Sequence, residues 1–176
     1  MEETLSSREI YSGRILKLRA DDVRLPDGCQ AKHEIIEHSN AVAIVAIDAN
    51  DNVLLVKQFR KPVEKELLEI PAGCIEDGEE ADATVIREMR EETGYRPQKI
   101  ERLGGFYSTP GFCTEYLYLY LATDLVPDEL HAEDTDDIEL VRVPLCNSAG
   151  LISSGTICDA KSIAGLLLYL AAKKPS

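Results

Sequence analysis

Three glutamates lie close together in the middle of the chain, at positions 88, 91 and 92. On a helix that advances roughly 100° per residue, Glu88 and Glu92 lie about 40° apart, with Glu91 about 60° to the other side of Glu88. Like charges this close repel one another, which disfavours their ionised forms. This arrangement does not help the chain to fold, whereas a bound divalent cation would relieve the repulsion. The spacing therefore indicates metal-assisted chemistry on one face of a helix.

The same segment carries apolar residues that would anchor such a helix. Val85, Ile86 and Met89 centre about 115° round the helix from the glutamates. One face can therefore pack on a core while another presents the carboxylates. The alternative is an acidic, solvent-facing helix whose glutamates pair with Arg87 and Arg90. For the pattern R-E-x-x-E-E alone, both interpretations fit.

Hydrophobic periodicity and turn signals place this helix among strands. The helical pattern runs from about residue 80 to residue 93 and ends at Gly94, where a left-handed residue is favoured. Before it, strands are predicted within residues 8–38, over 41–47 and over 53–59, and a short strand ends within 67–73. After it, strands are predicted over 100–107, 115–122 and 138–143, followed by a final helix over 159–172. Mixed strands with helices on their faces indicate an α/β fold, an α/β/α sandwich around a mixed sheet.

The composition excludes several classes of protein. The chain of 176 residues has 32 acidic and 19 basic side chains, and this net charge of −13 argues against nucleic acid as the main partner. Its longest apolar stretch, residues 163–172, is too short to span a bilayer, and its acidic start does not resemble a secretory signal. The 5 cysteines include no C-x-x-C pair, which indicates reduced thiols rather than disulfides or zinc. We therefore expect a cytoplasmic protein that acts on a small molecule, with no membrane partner.

The full spacing of the acidic segment is more specific than its glutamates alone. It fits the pattern G-x₅-E-x₇-R-E-U-x-E-E-x-G-U, in which U is a bulky apolar residue. The defined positions are Gly73, Glu79, Arg87, Glu88, Met89, Glu91, Glu92, Gly94 and Tyr95. This pattern is the Nudix box, and the chain resembles a Nudix hydrolase. The resemblance implies a Nudix-type α/β/α sandwich over residues 39–176, preceded by an antiparallel strand extension over residues 1–38.

The resemblance also implies a role for the residues of the box. Glu88 and Glu92 are the expected principal ligands of Mg²⁺, with Mn²⁺ as the alternative ion, and Glu91 assists directly or through water. The backbone carbonyl of Ala72 is an expected further ligand. Arg87 is expected to orient the carboxylates as part of the catalytic set. Bound ions would polarise the phosphoryl oxygens and lower the pKa of the attacking water.

Residues outside the box resemble the ADP-ribose pyrophosphatase branch of the family. Residues 68–73 read like that branch's approach to the box, and Pro110 falls 16 residues after the last glycine of the box, a spacing that marks the branch. By the same resemblance, Arg60 contacts substrate phosphate, and Glu115 is the acidic residue near the substrate. Glu79 is expected to hold the carboxylates or to approach the metal ions beside the substrate. The plainer interpretations are that Pro110 starts a turn and that Arg60 keeps an edge strand soluble.

The catalytic base is expected in the acidic loop of residues 132–139. Its candidates are Glu133, Asp134 and Asp136. Relatives place glutamates where this chain has the two aspartates, so each of these carboxylates is shorter by one methylene. The alternative is a charged, mobile loop with no catalytic role.

The resemblance as a whole implies hydrolysis of the pyrophosphate bond of ADP-ribose to AMP and ribose 5-phosphate. The alternatives are another nucleoside diphosphate sugar such as GDP-mannose, a damaged nucleoside triphosphate, or a non-catalytic module that binds ADP-ribose for regulation. The complete box counts against the module, and Pro110 with the N-terminal strands counts against the triphosphate. In this branch two subunits exchange their N-terminal strands. We therefore expect a homodimer in which Tyr11 from the neighbouring subunit stacks on adenine.

Overall fold

The computed structural model describes residues 1–132 and 137–173, which fall into two compact units. The first unit comprises Met1–Asn40 and Tyr107–Tyr116. The second comprises Ala41–Phe106 and the chain from Leu117 onwards. Each unit is built on its own β-sheet.

The first unit contains strands β1 (Glu3–Ser12), β2 (Leu16–Arg24) and β3 (Gln30–His38). They form an antiparallel sheet with β2 in the middle. Gly28 lies in the turn between β2 and β3 with a φ of 87°, a left-handed conformation that glycine adopts without steric cost. All residues of β1 are exposed, whereas Ala20 and Val23 of β2 are buried. The strands predicted within residues 8–38 are therefore present, and the first begins earlier, at Glu3.

The second unit contains a larger, mixed sheet. Its strands are β4 (Ala41–Ile47), β5 (Asn52–Arg60), β6 (Lys65–Glu69), β7 (Ala72–Cys74), β8 (Tyr95–Tyr107), β9 (Tyr116–Pro127) and β10 (Glu139–Pro144). The order is β10-β5-β4-β9-β8, with β6 paired to β5 and β7 paired to β4. Strand β4 pairs in parallel with β9 and antiparallel with β5 and β7. The helical segments are α1 (Ala81–Thr93), a 3₁₀ turn (Leu145–Asn147), α2 (Ser148–Ser153) and α3 (Ala160–Lys173).

Strand β4 is buried over its whole length and separates two apolar cores. Successive residues of a strand point to opposite faces, so Val45 packs in one core and Ile44 in the other. Helix α1 contributes Val85 and Met89 to the core of Ile44, whereas α3 contributes Leu166 to the core of Val45. Helices therefore cover both faces of the mixed sheet, which confirms the predicted α/β/α sandwich.

The two long helices lie within one residue of their predicted bounds. Helix α1 begins at Ala81 and ends at Thr93. Gly94 follows with a φ of 74°, and its N–H donates to the carbonyl of Arg90 at 3.2 Å, so a left-handed glycine ends the helix as expected. Helix α3 covers Ala160–Lys173. Within the described ranges, no helix combines the length and the apolar character needed to cross a membrane.

Some elements differ from their predicted extent. Strand β8 begins at Tyr95 rather than near residue 100, and β9 continues to Pro127 rather than ending near residue 122. Pro97 lies in the early part of β8, at the end of the strand order, where a residue without an N–H is tolerated. The sequence does not predict α2, because a helix of 6 residues is too short for its periodicity to stand out.

Helix α3 approaches the sheet closely at Gly165. A Cβ atom added there would lie 3.0 Å from methyl carbons of both Ile70 and Leu119. We expect Gly165→Leu to lower the free energy of unfolding by roughly 1–3 kcal/mol, because an overpacked core forces side chains and backbone to shift. Urea unfolding measures this, with Ala171→Leu, at an exposed position of the same helix, as the control. Equal losses in the two variants would contradict the close approach.

Candidate active site

Arg87 of α1 binds the carboxylates of three glutamates. Its Nε and Nη2 donate to the two oxygens of Glu79 at 3.0 Å each, while Nη1 donates to Glu88 at 2.6 Å and to Glu91 at 3.0 Å. Nη2 also donates to the carbonyl oxygen of Cys74 at 3.1 Å, which ties β7 to the helix. The hydrogen bond from Arg87 is the main cause that lowers the pKa of Glu79 to about 2, and the same bond raises the pKa of Arg87. A fixed guanidinium thus holds carboxylates that would otherwise repel one another.

Glu88 lies against the backbone of Gly73. The glutamate is only 8% exposed. A Cβ atom built on Gly73 would lie 1.8 Å from Oε1 of Glu88, so a side chain at position 73 would occupy the place of the carboxylate. The first glycine of the box therefore leaves room for one of its glutamates.

Glu92 accepts a hydrogen bond from the backbone of Ala72. The N–H of Ala72 donates to its Oε2 at 3.0 Å. Burial and the charge of Glu88 raise the pKa of Glu92 to about 8, although the Ala72 N–H and the positive charges of Arg60 and Lys161 oppose that shift. A carboxylate whose charged form is disfavoured in this way is stabilised by a nearby cation.

The residues of the box fit a divalent cation by donor type and by charge. Carboxylate and carbonyl oxygens are the ligands that Mg²⁺ prefers, and burial together with the charge of Glu88 disfavours the charged form of Glu92. Among residues 1–132 and 137–173, however, no three acidic, histidine or cysteine side chains are gathered closely enough to hold one ion. Arg87 holds Glu88 and Glu91, while the N–H of Ala72 holds Glu92. A cation would have to draw the carboxylates together or complete its shell with backbone oxygen and water.

A second ionic cluster in this unit, which the sequence does not predict, surrounds Glu69. Arg60 donates from Nε to Oε1 of Glu69 at 3.0 Å and from Nη2 to Oε2 at 2.7 Å. Lys161 donates to Glu69 as well, and to Asp159 at 3.0 Å. Burial favours the neutral form of Glu69, but the hydrogen bonds from Arg60 and the charge of Lys161 keep its pKa below the ordinary value. One feature of the sequence could have indicated this cluster: the apolar segment 67–70 contains a charged residue, and a buried charge needs a partner.

The other predicted site residues lie in the first unit or outside the described residues. Tyr11 near the end of β1 is 58% exposed, and Pro110 is exposed in the turn between β8 and β9. The side chain of Glu115 is 23% exposed, and its Oε1 lies 3.5 Å from Nδ1 of His38. The candidates for the catalytic base, Glu133, Asp134 and Asp136, lie outside the described residues.

A cavity of about 520 Å³ opens beside the C-terminal half of α1. Its lining includes Glu91 and Glu92 from the helix, together with Tyr95, His131 and Arg142. The guanidinium of Arg142 lies over the ring of Tyr95, 5.4 Å from its centre, and donates to the tyrosine hydroxyl at 2.7 Å. The second unit therefore offers room for a small molecule next to two glutamates of the box.

Comparison with known proteins places this arrangement in a family. Residues 37–162 match the NUDIX domain, and residues 2–36 match the nucleoside diphosphate sugar hydrolase N-terminal domain. The chain belongs to the NUDIX family. The family predicted from the box is therefore confirmed.

Individual relatives and one solved structure resemble the chain over nearly its whole length. It is 40% identical over 175 residues to the ADP-ribose pyrophosphatase of Bacillus subtilis (strain 168), covering 98% of this chain and 94% of that protein. It is 40% identical over 164 residues to the methanol dehydrogenase activator of Bacillus methanolicus, covering 92% and 89% respectively. The crystal structure of an ADP compounds hydrolase matches the fold with a TM-score of 0.89 at 22% identity, over 97% of this chain and 93% of that one.

The raised pKa of Glu92 makes the stability of the metal-free protein depend on pH. Its pKa is about 8 in the folded state, against 4.5 for an ordinary glutamate. Between these values the folded protein binds more protons than the unfolded chain, so the free energy of unfolding should fall as the pH rises from about 4.5 to about 8. Glu92→Gln should lessen that decline. Urea unfolding in EDTA across this range measures it, with the exposed Glu76→Gln as control, and an unaltered decline in Glu92→Gln would refute the assignment.

The contact between Gly73 and Glu88 predicts a loss of metal affinity without loss of the fold. In Gly73→Ala the new methyl group displaces the carboxylate, which can move because it ends a flexible side chain. We expect Mn²⁺ binding, measured by electron paramagnetic resonance, to weaken by roughly 10–100-fold, as when other supports of a metal site are removed. Gly150→Ala in α2 is the control, since a Cβ atom there meets nothing within 4 Å. Unchanged affinity in Gly73→Ala would show that the space at Gly73 does not matter.

Proposed function

We propose that the protein hydrolyses the pyrophosphate bond of ADP-ribose to AMP and ribose 5-phosphate. The observation that carries this proposal is the assembled box, in which Arg87 holds three carboxylates and Glu92 lies beside Glu88. The choice of substrate is supported by the ADP-ribose pyrophosphatase that shares 40% identity over 98% of the chain.

In this proposal, Glu88, Glu91 and Glu92, with the carbonyl oxygen of Ala72, would hold Mg²⁺ or Mn²⁺. The bound ion would withdraw electron density from the phosphoryl oxygens and make a bound water more acidic. Arg87 keeps Glu88 and Glu91 oriented through hydrogen bonds from a single nitrogen. The N–H of Ala72 fixes one oxygen of Glu92 and leaves the other free to bind.

The chain itself would position the reacting groups and accept a proton. The oxygen of water forms a bond to one phosphorus while the bridging P–O bond breaks, and the two products carry one phosphate each. The proton of that water passes to a carboxylate acting as general base. We propose Glu133, Asp134 or Asp136, from the loop outside the described residues, or Glu91 as the acceptor.

Several further residues are proposed substrate contacts. Arg60 would bind phosphate through Nη1, which has no partner among the described residues, since Nε and Nη2 are engaged by Glu69. Glu79 would lie near the substrate and act by holding Arg87 in place. Pro110 and Glu115, together with Tyr11 of the partner subunit, stay proposed substrate contacts.

We further propose that the protein is a homodimer with exchanged N-terminal strands. Leu5 and Ile10 of β1 are 38% and 48% exposed, and Ile15, between β1 and β2, is 62% exposed. Apolar side chains on an exposed strand commonly mark a contact surface, because such a strand otherwise invites unspecific pairing. The cytoplasmic location stays a prediction.

Turnover with Mg²⁺ tests the proposed activity. We expect ADP-ribose to be cleaved faster than GDP-mannose, UDP-glucose or 8-oxo-dGTP. Glu92→Gln should lower the rate by at least about 100-fold, because a metal ligand matters no less than the groups that support it. The exposed Glu76→Gln serves as control and should keep the full rate. A preference for GDP-mannose would overturn the substrate while leaving the metal-dependent mechanism in place.

A regulatory role is the second candidate. The 40% identity to a methanol dehydrogenase activator favours it. In that role the site would bind ADP-ribose without cleaving it. Binding of ADP-ribose without turnover of any of the four substrates would support this candidate and contradict hydrolysis of ADP-ribose.

A further inference from the structure

The cluster around Glu69 brings four charged groups together from three segments of the second unit. Glu69, the last residue of β6, is 1% exposed and accepts hydrogen bonds from Arg60 at the end of β5 and from Lys161 in α3. Lys161 also donates to Asp159, which directly precedes α3. The side chains of Lys161 and Asp159 are 16% and 13% exposed. These three side chains are thus largely shielded from water, whereas that of Arg60 is 39% exposed. Charge interactions are stronger where water is excluded than at a surface.

The place of Lys161 in its helix is electrostatically unfavourable. Helix α3 begins at Ala160, so Lys161 lies in the first turn, where the helix dipole disfavours a positive charge. The backbone N–H of Ser162 is already capped by Oδ2 of Asp159 at 3.1 Å. The lysine therefore does not serve the end of the helix, and its hydrogen bonds to Glu69 and Asp159 account for its position.

The cluster lies directly before the segment that enters the box. Ile70 follows Glu69, and its N–H donates to Oγ of Ser162 at 2.8 Å. Two residues later, the N–H of Ala72 donates to Glu92. The first turn of α3 therefore makes two separate contacts with this segment, one ionic through Lys161 and one uncharged through Ser162.

The charges of the cluster balance only when Lys161 is present. Arg60 and Lys161 carry two positive charges, and Glu69 and Asp159 carry two negative ones. Without Lys161, one uncompensated negative charge would remain near the glutamates of the box, and Glu69 would bind Arg60 alone. Excess negative charge at that place opposes the approach of an anionic pyrophosphate.

We propose that Lys161 is a positioning residue for substrate binding: by sharing Glu69 with Arg60, it keeps the guanidinium in place and its charge available to the substrate's phosphates. This inference rests on the proposed function, in which Nη1 of Arg60 contacts the pyrophosphate. Lys161 itself need not touch the substrate. Its effect is on binding, so KM and the dissociation constant of ADP-ribose should change while kcat is largely kept.

A matched variant distinguishes this role from a purely structural one, in which Lys161 only joins α3 to β6. Ser162→Ala removes the neighbouring contact to Ile70 from the same helical turn and leaves all four charges in place. Lys161→Met removes the charge and keeps an unbranched side chain of similar length. Lys161→Arg keeps the charge.

The experiment measures KM and kcat for ADP-ribose with Mg²⁺, and ADP-ribose binding by calorimetry in EDTA. We expect Lys161→Met to raise KM and the dissociation constant by about tenfold, or roughly 1.4 kcal/mol, because the charge of Arg60 is then less available to the substrate. We expect kcat to stay within about twofold. Lys161→Arg should restore binding, and Ser162→Ala should lower the urea midpoint without changing KM. Lys161→Gln, which can still donate to Glu69, replaces Lys161→Met should that variant fail to fold.

Three results would overturn the inference. They are unchanged KM and binding in Lys161→Met, an equal rise of KM in Ser162→Ala, and no recovery in Lys161→Arg. Each is distinct from failure of the proposed function, in which the wild type itself would not cleave ADP-ribose. In that case the calorimetric binding still decides whether Lys161 supports binding of the nucleotide, and a wild type that does not bind ADP-ribose overturns both.

Discussion

The guanidinium of Arg87 is the interaction on which the candidate site depends. Two carboxylates about 4 Å apart near a protein surface repel each other by roughly 4 kcal/mol, and this helix carries several of them. Arg87 offsets that repulsion with hydrogen bonds to Glu79, Glu88 and Glu91. A guanidinium can do this because its nitrogens are fixed in one plane and always charged. An acidic helix is thereby made compatible with a stable fold before any cation is present.

The sandwich provides the rigid surroundings that this arrangement needs. Strand β4 holds residues 71–74 through its pairing with β7 and through the hydrogen bond from Ile44 N–H to the carbonyl of Pro71 at 2.9 Å. From one face, α1 presents Glu88 and Glu92 to the same short segment. On the side of the other core, Ser162 of α3 accepts a hydrogen bond from the N–H of Ile70, just before this segment. The entry to the box is therefore fixed by the central strand and by both long helices.

Local patterns allowed much of this structure to be predicted. The bounds of α1 and α3, the buried strand β4 and the left-handed Gly94 follow from periodicity and turn chemistry, which act over a few residues. The bonds of Arg87 to Glu88 and Glu91 lie within one helical turn, so their spacing is visible in the sequence. Contacts between Lys161 and Glu69 are different, because 92 residues separate the partners and only the folded chain brings them together. The early start of β8 could not be predicted for a related reason. A proline such as Pro97 argues against a strand, and only the folded sheet shows that its edge accommodates one.

The buried carboxylate of Glu69 also couples the substitutions that distant parts of the chain can accept during evolution. Replacing it alone with an apolar residue would leave Arg60 and Lys161 with Asp159 as the single remaining counter-charge of the cluster. Replacing either cation alone would leave negative charge uncompensated. Substitutions at the ends of β5 and β6 and at the start of α3 are therefore not independent during divergence. The charge that one of these segments can gain or lose depends on the charges that the other two segments carry.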